Sequence, residues 1–199
     1  MTDGPARIRT GDEFAAALDS LRGAKPRRDV QLAEIPAPDG LAPDSIAFAA
    51  DVHPPDHGID SFLGTGRFIV LHDDAAPDPW AGTFRVVCYA QAPLEHEIGS
   101  DPLLPDVAWS WLMDALRDRG SAFHAASGTA TTVLSTGFGG LADQAATAQI
   151  ELRASWTPLD AGLGAHIEAW AEFLCMLAGL PPTTEGVELL AQRRMGRAR

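Results

Sequence analysis

The chain is predicted to be an α+β protein: one mainly antiparallel sheet of about five to six strands with helices packed on it, in the order α-β-β-β-α-β-β-α. Three observations carry this. Residues alternate with a period of two over 83–91 and 149–157, the mark of a half-buried strand. The strands come in hairpin pairs with few helices between consecutive strands, unlike βαβ winding. Apolar residues at helical spacing separate the pairs, over 10–22, 105–119 and 165–178.

The first helix opens on Thr10 and Glu13, an S/T-x-x-E pair expected to form a capping box. Phe14, Leu18 and Leu21 share one face, and Gly23 and Pro26 end it. The proline-rich passage IPAPDGLAP follows as turn or extended structure, flanked by short strands near 30–35 and 46–52. Residues 53–61, with two prolines and a glycine, read as a loop. Strands at 67–72 and 83–91 then make a hairpin across DDAAPDPWAG, a run of turn formers.

Pro105 opens the middle helix and Gly120 closes it. Leu104, Ala108, Trp111, Leu112, Ala115 and Leu116 form its core stripe, but Val107, Trp109 and Met113 are apolar too. Such a helix needs cover on more than one side, so it is either central or lies under a partner. A second strand pair, 129–136 and 149–157, encloses GFGG. The last helix, 165–178, carries Trp170 and ends at Gly179 before Pro181 and Pro182, where a left-handed cap is expected. Two passages echo each other: Ala92-Pro93-Leu94 and Thr157-Pro158-Leu159 each end a strand and lead into a Trp-bearing helix. Two strand-strand-helix halves sharing one sheet would explain the echo.

A length of 199 residues suits a single domain, placed here at 10–182, with 183–199 a C-terminal segment ending in a basic tail. The apolar content of 46% is ordinary for a globular chain, so no disulfide or metal is needed for a core. The net charge of −12 argues against a body that wraps nucleic acid. Nucleic acid stays unlikely as a partner except through Arg193, Arg194, Arg197 and Arg199, and a tail resting on its own acidic body is the preferred reading. Lys25 is the only lysine, and its setting beside Pro26 suits neither a P-loop nor a Schiff base. Cys88 and Cys175 lie in apolar runs and are expected to be reduced core residues. No stretch is long enough to span a bilayer and the start lacks an apolar signal region, so a cytoplasmic, soluble protein is expected.

Several constellations hint at chemistry. Residues 137–142 fit G-x-G-x-x-G/A, but a strand follows too soon for a crossover helix, so the dinucleotide reading is rejected. His53, Asp56, His57, His72, Asp73 and Asp74 could ligate a metal, yet Pro54 and Pro55 prevent the helix that would align His53 with His57. Exposed loop residues are the preferred reading, and no metal or cofactor is assigned. Glu95, His96 and Glu97, ahead of Asp101 and Asp106, have acid–base character, with Glu95 and Glu97 on one side of an extended segment. A structural role at a helix start is preferred. Arg85 and Arg153, on the less apolar faces of their strands, would line an anion-binding surface near Trp80 if those strands are neighbours. The preferred alternative is a solvated face with Arg153 paired to a nearby Glu.

The run EIGSDPLLPDVAWSWL at 97–112 resembles the signature of an uncharacterised actinobacterial family, the domain of unknown function 3000. So do LAEIPAPDGLAP, GRFIVLHD, WAGTF, GFGGL and RASWTPL, together with the stretch 166–182. The resemblance implies a cytoplasmic actinobacterial protein. It supplies no activity, cofactor or catalytic residue. In topology alone, the element order is similar to that of small dimeric secretion-chaperone-like proteins, whose central helix contributes to the dimer seam.

The leading expectation is therefore a non-catalytic binding, adaptor or chaperone-like homodimer, with Trp80, Arg85, Glu97, Trp109, Met113 and Arg153 as candidate ligand or partner surface. The first alternative is an enzyme or small-ligand binder with a pocket between the sheet and the Trp-bearing helices, using Arg85, Glu97 or Arg153. The second is a nucleic-acid-associated protein acting through the Arg-rich tail.

Overall fold

The computed structural model describes residues 11–53, 63–143 and 146–182. The chain runs α1 (Asp12–Arg22), β1 (Val30–Ile35), β2 (Asp44–Val52), β3 (Gly64–His72), β4 (Phe84–Leu94), α2 (His96–Gly99), α3 (Leu104–Asp118), β5 (Phe123–Ser135), a 3-10 turn (Gly139–Leu141), β6 (Thr147–Pro158) and α4 (Leu163–Leu177). All six strands join one sheet in the order β1-β2-β3-β4-β6-β5, and every neighbouring pair is antiparallel. The α+β class and the broad element order follow the sequence reading: all four strands expected between the first and middle helices form, one more than the compact order counted, and the short α2 is added before α3.

Alternation decides which side of each strand is buried. Phe68 and Val70 of β3, Val86, Cys88 and Ala90 of β4, and Ile150, Leu152 and Trp156 of β6 all face the helices and are sealed from solvent. α4 crosses the middle of this face, and Trp170 and Trp156 pack their rings against Phe68 at 5.4 and 6.1 Å. Trp156 Nε1 donates to His166 Nδ1 at 3.1 Å, and burial pushes His166 down to about 4, so it sits in the core as a neutral acceptor. The two halves do share the sheet: β4 lies beside β6, and α3, after β4, packs on α4, after β6.

The cover for α3 comes from the same chain. Met113 is 7% exposed. Trp109 lies over Gly128 of β5, where a Cβ would stand 2.7 Å from the indole Cζ3. α3 is an outer helix whose apolar side packs on α4 and the β5 side of the sheet, while Asp106, Val107, Ser110 and Asp114 face outward.

The expected capping box rests on Thr10, which lies outside the described residues; α1 starts behind Gly11 at φ 97 with no side-chain cap, and the Glu13 carboxylate accepts from Thr83 Oγ1 at 3.4 Å. Two local expectations are corrected. β5 begins at Phe123 rather than near 129: the small residues Ala125–Gly128 show no alternation to mark a strand, and the pairing slips between His124 and Ser127 with Ala125 at φ 50. Residues 96–99 form a helical turn, so Glu95 and Glu97 do not share one side of an extended segment. The left-handed cap at Gly179 is present at φ 82. No helix among the described residues is long and apolar enough to cross a membrane.

Candidate functional site

The sheet face opposite α4 carries no helix among the described residues. Three arginines stand on it. Arg67, Tyr89 and Arg153 are consecutive partners across β3, β4 and β6, and the Arg153 guanidinium lies 5.6 Å over the Tyr89 ring. Arg153 also pairs with Glu151 at 3.3 Å, as the solvated-face reading expected. Arg67 is exposed and makes no ion pair among the described residues. Burial first, then Glu151, push the Tyr89 hydroxyl above its ordinary range.

Arg85 shares this face but does something else. Its Nη1 donates to Ala125 O and Thr157 Oγ1, both at 3.0 Å, and its Nη2 to Ser155 Oγ at 2.6 Å. No carboxylate of the described residues pairs with it, and burial lowers its pKa. Arg85 thus clasps the bulged start of β5 to the sheet across β6. Thr157 passes its own hydroxyl hydrogen to Trp80 O, which brings the β3–β4 loop against the same corner. The Trp80 carbonyl and the Arg85 guanidinium meet on the Thr157 hydroxyl, while Arg153 sits two rungs away along β6.

The outer side of β5 is the least protected edge. Among the described residues, β5 bonds only to β6. Its run from Ser127 to Ser135, SGTATTVLS, holds no charge and no proline. Native edges are usually blunted by such residues. Val133 and Leu134 are exposed at its end, Phe138 and Leu141 just after it are 80% and 54% exposed, and exposed Ile98 stands on α2, which packs beside Leu134. The edge therefore combines free backbone groups with an apolar patch. Sequence reading missed it because exposure of Phe138 and Leu141 depends on tertiary placement, though the absence of charge in β5 was visible.

The other sequence candidates disperse. Glu97 is exposed on α2, away from Arg85 and Arg153, and Trp156 and Trp170 fill the space between sheet and helices. Asp101 accepts from Leu103 N at 2.9 Å, a local turn ahead of α3. Asp56 and His57 lie outside the described residues, as do the tail arginines 193, 194, 197 and 199. Cys88 and Cys175 are free and buried, and burial pushes both thiols up to about 12, so neither is an activated thiolate. His72 and Asp74 meet Glu13 and Asp44, two residues that spacing alone did not connect to them.

The class defined by this geometry is an α+β protein whose antiparallel sheet is backed, among the described residues, by helices on one side only. A family model described as "Protein of unknown function (DUF3000)" matches residues 10–188, and the chain belongs to that family. No curated protein and no solved structure matches the chain.

Proposed function

We propose that this chain is a non-catalytic binding protein of adaptor or chaperone type, and that it works as a homodimer joined edge to edge through β5. The observation that carries the reading is the uncharged, one-sided β5 edge with its apolar patch. Strand addition satisfies the free backbone groups, and the side chains near the seam add apolar burial. A second copy is the occupant favoured, because two uncharged edges meet without the like-charge repulsion that their acidic bodies would otherwise bring to the seam. An antiparallel pairing centred on Thr131 doubles the sheet. The enlarged open face then presents two sets of Arg67, Tyr89 and Arg153, a surface suited to an acidic partner. Two buried, unpaired thiols suit a reducing cytoplasm.

Size-exclusion chromatography with light scattering tests the seam. The wild-type chain should run at twice its monomer mass. Thr131→Lys, which sets a charge against its own copy at the centre of the pairing, should run as a folded monomer. A monomeric wild type, or a Thr131→Lys variant that stays dimeric, rejects the proposal.

A further inference from the structure

We propose that Glu13, His72 and Asp74 form a binding site for a first-row divalent cation such as Zn2+ or Mn2+. His72 is the last residue of β3, on the helix side, and is 0% exposed. Its ring lies between Phe14 of α1, stacked at 5.5 Å, and Phe84 of β4 at 4.7 Å. Its Nδ1 lies 3.2 Å from Asp44 Oδ2. The ring is thus fixed on both faces and along one edge.

The other edge is the unusual one. Nε2 is buried and makes no hydrogen bond. It faces Glu13 Oε2 at 3.8 Å and Asp74 Oδ1 at 3.7 Å. Both separations exceed the hydrogen-bond range of about 2.7–3.2 Å. They do fit two donors on one ion, because ligand atoms bound at about 2.0–2.2 Å lie roughly 3.0–4.2 Å apart as the angle opens. The three ligand atoms lie within 4.8 Å of one another.

Charge leads to the same place. In the tautomer that donates Nδ1–H to Asp44, the Nε2 lone pair points at two carboxylate oxygens. Three electron donors face one spot, and a cation there resolves the conflict. A carboxylate on the far nitrogen of a ligating histidine is the usual outer support of such a site, since it fixes the tautomer and strengthens the donor. Thr83 Oγ1, 3.4 Å from both Glu13 oxygens, holds that carboxylate in turn. Glu13 and Asp74 are about a third and just under half exposed, so the ion has a way in and can keep water on its outer side. One imidazole with two carboxylates favours Zn2+ or Mn2+ over Ca2+ and Mg2+, which prefer all-oxygen shells.

The four contributing residues come from α1, β2, β3 and the β3–β4 loop, so the ion would pin α1 to the end of the sheet. Calorimetric titration of the chelator-treated chain with Zn2+ and with Mn2+ is the test, with thermal melting alongside. One equivalent should bind and raise the melting temperature, while Mg2+ should not. Glu13→Gln and Asp74→Asn, both at partly exposed positions, should stay folded and weaken binding roughly tenfold or more. Asp44→Asn should weaken it too, through the ring. No heat with either ion overturns the proposal. Undiminished binding by both Glu13→Gln and Asp74→Asn overturns it equally.

Discussion

Gly66 shows what one missing side chain does for the core. A Cβ at this position of β3 would stand 2.5 Å from Trp170 Cζ2 and 2.7 Å from Tyr89 O. Neither neighbour has room to yield, since Trp170 is fully buried and Tyr89 O belongs to the β4 backbone. Gly66→Ala should therefore destabilise the fold by about 1–3 kcal/mol through overpacking, despite the better strand propensity of alanine. The midpoint of urea unfolding reads this, and an unchanged midpoint would show that α4 shifts freely over the sheet. Nothing in GRFIVLHD announces the constraint. It arises from a tryptophan on the last helix, and local sequence records only that a strand contains a glycine. His72 was hidden in the same way: its own neighbourhood supplies Asp74, whereas Glu13 and Asp44 reach it only through folding.

Among the elements, those with a strong period were legible. β4 and β6 alternate along most of their length, and both α3 and α4 end at glycines with positive φ, Gly120 at 67° and Gly179 at 82°. The first part of β5 was not legible, because it is held by a partner rather than by its own pattern. Arg85 supplies that hold, with its hydrogen bonds to Ala125 O and to the Ser155 and Thr157 hydroxyls. Arg85→Met should release the bulge, so amides of residues 123–127 exchange faster with deuterium while α4 and β4 keep their protection. The global loss should stay small, within about 1 kcal/mol, because a desolvated charge without a carboxylate partner is removed along with its bonds. Unchanged exchange at 123–127 would assign the bulge to β6 pairing alone. The placement of β6 beside β4 was likewise beyond local pattern, since alternation identifies a strand's two faces but not its neighbour.

For the molecule as a whole, charge and seam pull in opposite directions. Each copy carries −12, so two copies repel through solvent, while the β5 edge proposed as their seam holds no charge from Ser127 to Ser135. Salt shortens the reach of the repulsion, from about 14 Å at about 0.05 M to about 4 Å at about 0.5 M, and leaves backbone pairing and apolar burial in place. Dimerisation should therefore tighten as salt rises, measured by sedimentation equilibrium across that range. A seam made of ion pairs, for instance one built on Arg67 and Arg153 against acidic residues of the second copy, would loosen instead. A dissociation constant that climbs with salt thus rejects the β5 edge as the joint and moves it to the arginine-bearing face of the sheet.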